Sequence, residues 1–161
     1  MPGSDELILG EFTRTLDERF RLSVPPELVA AMGDESDGFI LAKERAGCLS
    51  LWNASLWQSQ LDQGVDLVKR KVQAGKLAGR LGEVQLLARL LSTRHREVQL
   101  GGRGRLLVPE GFREFLGVEP GGDAIVVGAA VCVEIWQPSA WLRYLRRRMP
   151  KFRRLFDQLS S

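Results

Sequence analysis

The 161-residue sequence is poor in the residues that cross-linking and catalysis use. It has two cysteines, Cys48 and Cys132, one histidine, His95, and one tyrosine. Two cysteines are too few for a disulfide framework or a four-ligand zinc site. A reduced, cytosolic compartment is the simplest expectation. Long apolar runs are also missing. The longest, residues 124–133, is far shorter than the roughly 18–20 residues that span a bilayer, so no membrane association is expected. The N-terminal MPGSDELIL has no basic start, apolar segment and small-residue cleavage site, and it does not read as a secretory signal. No Gly-x-Ser-x-Gly elbow, Gly-Lys-Ser/Thr phosphate loop or His-Glu-x-x-His pair occurs. An enzyme, a cofactor and a metal centre are therefore not expected. His95, between Arg94 and Arg96, reads as a polar residue at a strand edge.

What is present is enough to build a core. Apolar residues make up 44% and charged residues 27% of the chain, a balance that excludes a disordered polymer. The net charge is only +3, but the cations are clustered. Arg143, Arg146, Arg147, Arg148, Lys151, Arg153 and Arg154 run without an acidic residue between them, and Lys69, Arg70, Lys71, Lys76 and Arg80 form a second group. Such runs suit a polyanion, or simply a solvated helix face.

The strongest signal is an internal repeat. Residues 16–28 read LDERFRLSVPPEL and residues 100–112 read LGGRGRLLVPEGF. A gapless shift (105 − 21 = 84) carries Leu16 to Leu100, Arg19 to Arg103, Arg21 to Arg105, Pro25 to Pro109 and Gly33 to Gly117. It continues to Cys48/Cys132, Trp52/Trp136, Ser55/Ser139 and Trp57/Trp141. About fifteen of the 47 positions from residue 15 to 61 are identical to their partners, where chance gives roughly three. The chain is a tandem duplication.

Each copy reads strand–turn–strand–helix–strand–strand–helix. Residues 9–16 and 97–100 carry strand character. Polar turns follow at 17–19 and 101–104, then short strands at 21–24 and 105–108. Pro25 and Pro109 end those strands, because proline lacks the ladder donor, and open two-turn helices over 26–32 and 110–116 that Gly33 and Gly117 stop. Strand pairs are predicted at 39–42 with 49–52, and at 124–127 with 132–136. Ser55 and Ser139 stand where N-terminal caps of a last helix would. Between the copies, residues 63–93 have apolar residues at helical spacing, interrupted by Gly75, Gly79 and Gly82, which predicts two helices. The tail, 138–159, predicts a basic amphipathic helix broken at Pro150. Half-units of about 45 residues are too small to fold alone, so the copies are expected to interlock about a pseudo-two-fold axis and share one core. Cys48 and Cys132 read as buried small hydrophobes, and the four tryptophans as packing residues.

The candidate chemistry lies in the turn–strand element. Arg19 and Arg21, and likewise Arg103 and Arg105, are two apart and would share one face of an extended segment. A guanidinium can clamp a phosphate or a guanine edge bidentately, and a two-stranded ribbon fits a major groove. The glycines around Arg103 would let backbone N–H groups approach a phosphate. Asp17 and Arg21, four apart across the turn, could form an internal ion pair.

The stretch from Gly10 to Pro25, GEFTRTLDERFRLSVP, the repeated Leu-x-x-x-x-Arg-Leu-x-Val-Pro, and the segment from Val133 to Trp141, VEIWQPSAW, resemble the MraZ family over roughly residues 8–148. The resemblance implies an α+β, β-rich fold. Its two tandem AbrB/SpoVT-like swapped-hairpin units would share a pseudo-two-fold β-barrel core, with a helical insert and a C-terminal helix. The units would be 8–62 and 94–148, the insert 63–93 and the basic tail 149–161. It further implies a cytoplasmic, nucleoid-associated transcriptional regulator. Such a regulator binds repeated short promoter boxes in double-stranded DNA upstream of the division and cell-wall gene cluster, as a ring-like homo-oligomer. Arg14, Arg19, Arg21, Arg103 and Arg105 are then the candidate DNA contacts, with Asp17, Gly101 and Gly104 as motif positions. The sequence departs from the family at two points. Gly101 replaces the aspartate of the second Asp-x-x-x-Arg motif, and Phe20 replaces the glycine before the first arginine. The division of labour expected from this is a phosphate clamp in the second copy and more of the base contact in the first. The insert helices and tail, with their apolar stripes, are the expected subunit interfaces. The alternative is an oligomeric interaction scaffold or antitoxin-like module. A single unit with a disordered toxin-wrapping tail is what an antitoxin of this fold would show, and this chain has two units and an apolar insert.

Overall fold

Alternating and β-branched segments become strands in the places where the repeat demands them. The computed structural model describes residues 6–33 and 35–161, so residues 1–5 of the stretch tested for a leader lie outside the described residues. The first copy supplies β1 (Glu11–Thr15), β2 (Arg21–Ser23), α1 (Pro26–Ala31), β3 (Phe39–Arg45), β4 (Cys48–Asn53) and α2 (Ala54–Gln73). The helix α3 (Leu81–Arg94) leads into the second copy. That copy supplies β5 (His95–Val98), β6 (Leu100–Gly101), β7 (Arg105–Leu107), α4 (Arg113–Leu116), β8 (Asp123–Gly128), β9 (Val133–Trp136) and α5 (Pro138–Arg148), and α6 (Phe152–Ser160) ends the chain.

The strands form a six-stranded sheet in the order β1-β8-β9-β4-β3-β5 and a three-stranded sheet in the order β2-β7-β6. The six-stranded order and the central β2–β7 pair show the duplication. The first strand of each copy leaves its own hairpin and pairs with the other copy's: β1 lies on β8, and β5 on β3. At the centre β4 pairs with β9, Cys48 opposite Trp136, and β2 with β7, Leu22 opposite Leu106. Val24 N–H donates to the Gly104 carbonyl and Val108 N–H to the Phe20 carbonyl, both at 2.9 Å, and these two bonds exchange under the 84-residue shift. Leu22, Leu106, Val24, Val108, Leu49 and Ile135 are at most 1% exposed within one continuous core. Removing any such Leu or Ile side chain from a core like this costs about 2–5 kcal/mol.

The sequence reading needs several corrections. The expected barrel core takes the form of two sheets rather than one closed ladder. Helical residues outnumber strand residues, because α2, α3, α5 and α6 extend well beyond the sheets. The helix predicted over 110–116 shrinks to Arg113–Leu116, since Gly111 takes a φ of +86° just ahead of it. The helix caps are Asn53, whose side chain accepts from Leu56 N–H at 3.2 Å, and Gln137, which accepts from Ala140 N–H at 2.8 Å. Ser55 is already inside α2, and Ser139 instead donates to Gln137 at 2.6 Å. Helix α2 runs unbroken from the first copy into the insert as far as Gln73, and the glycine-rich break lies between it and α3. The tail breaks where Pro150 predicts, between α5 and α6.

Trp57 and Trp136 are buried, at 6% and 2% exposure. Trp57 packs on Trp52, and Trp136 on Trp141 and Tyr144, so the repeated tryptophans seat α2 and α5 on the sheet. His95 is half-buried on edge strand β5, its ring 5.4 Å from that of Trp57. Cys48 and Cys132 are buried free thiols. Burial raises both, Cys132 to about 12, so neither is a nucleophile at neutral pH.

Candidate nucleic-acid interface

The β2–β7 ribbon carries the repeated arginines to one rim. Arg21 begins β2 opposite Leu107, and Arg105 begins β7 opposite Ser23. Because the strands are antiparallel and pseudo-symmetric, both guanidinium groups belong to the same two-stranded element. Arg21, Arg103 and Arg105 line one open depression of about 530 Å³ together with Gln99, Gly101, Gly102 and Leu107. Among the described residues no acidic one lines it. Arg103 and Arg105 are exposed and Arg21 is half-buried.

The two turns that feed this rim are built differently. In the first, the Asp17 carboxylate accepts Arg19 N–H at 2.8 Å, Arg21 N–H at 2.9 Å and Arg21 Nε at 3.0 Å. Phe20 N–H closes the turn on the Asp17 carbonyl at 3.0 Å. The backbone N–H of Arg21, foremost, holds the Asp17 carboxyl below its ordinary value; desolvation opposes it, and the Arg19 N–H and the Arg21 guanidinium add to the lowering. The expected Asp17–Arg21 ion pair is thus formed, and it orients Arg21 as well as the backbone. In the second turn Gly101 offers no carboxylate. Arg103 and Gly104 both adopt left-handed backbone, with φ of +64° and +69°, and Gly101 pairs with Arg105 across the hairpin.

These turns correct the expectation that Arg19 and Arg103 share an extended strand with Arg21 and Arg105. Phe20 and Gly104 lie between them at φ of +59° and +69°, so the period-two rule does not apply. Arg103 reaches the depression from a turn, and Arg19 projects from the other turn without lining it. Arg14 also stays apart. It donates to the Thr13 carbonyl at 2.9 Å and lies 5.4 Å over the Phe12 ring on β1.

One residue escaped the sequence reading. Arg113, at the start of α4, stacks on Phe20 with 4.0 Å between guanidinium and ring centre, and its Nε donates to the Val108 carbonyl at 2.8 Å. It ties the first turn to the strand that leaves the second. Position 113 aligns with Val29, so the repeat hides it. The aromatic residue in a glycine position was the only available hint that a partner would be needed.

Among the described residues no three or more His, Cys, Asp or Glu side chains converge on a metal-sized site. No described helix is long and apolar enough to cross a membrane.

Residues 92–158 match the model of the family described as "MraZ protein, putative antitoxin-like". Over nearly the full length the chain is similar to proteins named transcriptional regulator MraZ. It is 26% identical to that of Treponema denticola, covering 94% of this chain and 96% of the relative. It is 25% identical to that of Syntrophomonas wolfei, with 95% and 96% covered, and 28% identical to that of Roseiflexus sp., with 86% and 87% covered.

Proposed function

We propose that this chain, a member of the MraZ family, is a cytoplasmic, nucleoid-associated transcriptional regulator. On this reading it binds repeated promoter boxes in double-stranded DNA as a ring-like homo-oligomer, at the division and cell-wall gene cluster. The observation that carries the reading is the shared basic depression, in which Arg21 of one repeat meets Arg103 and Arg105 of the other with no carboxylate among the described residues of its lining. Three guanidinium groups on a two-stranded ribbon and its turn match the phosphates and guanine edges of a duplex. One chain offers too few such contacts for tight binding in physiological salt. Repeated boxes and repeated chains therefore belong together, since linkage raises effective concentration without new contacts.

The asymmetry of the turns supports a division of labour. The glycine-rich second turn leaves Gly102 with open space around it and suits close approach to a phosphate. The Asp17-braced first turn holds Arg21 in a fixed direction, as base contact needs. The exchanged first strands likewise support two AbrB-like swapped-hairpin units, spanning 8–62 and 94–148, with 63–93 as insert and 149–161 as tail.

The test is a gel shift of the purified chain on its own upstream DNA, with and without unlabelled non-specific competitor, repeated over a salt series. Specific binding survives competition. Arg103→Ala and Arg105→Ala each lower the slope of log affinity against log salt by about 1. Arg14→Ala leaves the slope unchanged. Binding that disappears under competition removes the regulator reading in favour of the scaffold or antitoxin-like one.

A further inference from the structure

We propose that Gln99 reads a base: its amide pairs with the major-groove edge of an adenine, while Leu107 meets the methyl group of the thymine opposite. This rests on the DNA-binding reading above and names what would give it sequence preference. Three of the side chains in the depression are guanidinium groups, and the others are those of Gln99 and Leu107. Guanidinium groups draw any duplex, because every phosphate answers them. Sequence is read by groups that fit one base edge and not another. Gln99 is exposed, and among the described residues nothing hydrogen-bonds its amide. Leu107 is 51% exposed, beside a fully buried Leu106. A free amide and a bare leucine thus stand side by side among the cations.

The strands set these groups in a row. Arg21 lies opposite Leu107 and Ser23 opposite Arg105, while Leu22 and Leu106 between them face the core. On the other side of β7, β6 places Leu100 opposite Leu106 and Gly101 opposite Arg105. Gln99 is one residue further on, level with Leu107, and lines the same depression. The outer face therefore runs Gln99, Leu107, Arg21. At about 4.8 Å between strands the row is roughly 10 Å long, and a major groove is about 12 Å wide. The edge of an A·T pair presents adenine N7 and the N6 amino group, then thymine O4 and its methyl. The Gln99 amide would donate to N7 and accept from N6, and Leu107 would cover the methyl. Arg21, braced by Asp17, then falls on the adjoining base. A G·C pair turns two acceptors toward the amide and carries no methyl, so this row rejects it.

The duplication does not supply a second such row. Under the 84-residue shift Gln99 corresponds to Thr15, whose hydroxyl donates to the Asp123 carboxylate at 3.2 Å. Leu107 corresponds to Ser23. The row through Arg105 therefore has neither a free amide nor an exposed leucine, and it leads through Gly101 into the glycine-rich turn that suits a phosphate. One chain presents one reading row, and that row fixes its direction on the duplex, because T·A in place of A·T sets the methyl against the amide.

The experiment is a fluorescence-anisotropy titration of the full chain on its own upstream DNA, with each A·T pair replaced in turn by G·C. Wild type is expected to lose about 5- to 150-fold in affinity at the pair that Gln99 reads, the worth of one bidentate base contact. Gln99→Ala binds the original and that substituted DNA equally well. Its slope of log affinity against log salt stays that of wild type, because an amide neutralises no phosphate. Replacing the adenine of that pair by 7-deaza-adenine, which lacks the N7 acceptor, weakens wild type and not Gln99→Ala. Replacing its thymine by uracil, which lacks the methyl, weakens wild type and not Leu107→Ala. Both positions are exposed, so circular dichroism stays unchanged. The inference is overturned if Gln99→Ala keeps the wild-type preference at every pair, or weakens binding to all sequences alike. It is equally overturned if 7-deaza-adenine weakens Gln99→Ala as much as wild type. In each of these cases wild type still prefers its own DNA over competitor, and the function proposed above stands. A wild type that binds all sequences alike overturns both, and that result is read from wild type alone.

Discussion

Replacing Gly104 by alanine probes the junction on which the basic rim is built. A Cβ at position 104 would lie 2.5 Å from the Val24 carbonyl oxygen and 3.5 Å from Val29 Cγ2, on a backbone with φ of +69°. The left-handed conformation alone costs a non-glycine residue about 1–2 kcal/mol. The clash is with backbone, so it is relieved only by moving Val24 or the turn. Either movement strains the 2.9 Å bond from Val24 N–H to the Gly104 carbonyl, worth about 0.5–1.5 kcal/mol net. Together these give a loss of about 1.5–3.5 kcal/mol, which for a chain of this length lowers the melting temperature by roughly 3–14 °C. Gly102→Ala is the control. Nothing lies within 4 Å of its Cβ, and the change should stay within about 0.5 kcal/mol. Urea and thermal unfolding of the two variants side by side decide the matter. If Gly104→Ala is as stable as Gly102→Ala, the two turns are not packed on each other's strands as described, and the shared rim loses its basis.

Two further predictions concern the braces of the first turn. The Asp17 carboxyl is held below its ordinary value of 3.8, so its contribution is complete above that value and is lost as the pH falls through the lower, folded-state value. The stability difference between wild type and Asp17→Asn should therefore be constant from about pH 7 to pH 5 and shrink on further acidification; a difference that changes near neutrality would refute the assignment. Arg113→Ala removes a guanidinium–aromatic contact worth about 0.5–2 kcal/mol and a hydrogen bond worth about 0.5–1.5 kcal/mol, for a loss of about 1–3.5 kcal/mol. A double-mutant cycle with Phe20→Gly should show coupling, and additive effects would mean that stacking on Phe20 contributes nothing.

How much of this could be read from the residues depends on whether the signal was local. The 84-residue shift found both hairpins, both helix–sheet tryptophans and the pairing of the repeats, since these follow from patterns of short period and from a copy held elsewhere in the chain. Strand ends and caps were less legible. Asn53 and Gln137 cap α2 and α5 although serines two positions on looked better placed, because the cap is set by where the strand lets the chain turn. The site was half legible. Arg21 and Arg105 meet because β2 and β7 pair, which the duplication implies. The distance of Arg14 and Arg19 from the depression, and the arrival of Arg103 from a turn, are properties of the tertiary path. Arg113 was invisible, since its role depends on a ring 93 positions away in sequence.

Duplication would by itself give two identical turns, and the two turns here differ in how they are braced. Position 20 and position 104 both require left-handed backbone, at φ of +59° and +69°. Glycine meets this without strain in the second copy. In the first copy phenylalanine meets it at a cost of about 1–3 kcal/mol, and the structure shows what offsets that cost. The ring of Phe20 packs against the core from its half-buried position, and its outer side is covered by Arg113, which also fixes the Val108 carbonyl. The Asp17 carboxylate then locks the backbone on either side of it. The first turn is therefore rigid and aims Arg21 in one direction. The second, with Gly101, Gly102 and Gly104 around Arg103, has neither carboxylate nor ring to brace it and leaves its backbone open to an approaching anion. A duplex laid along β2 and β7 would meet a fixed cation from one repeat and an adaptable, amide-rich turn from the other.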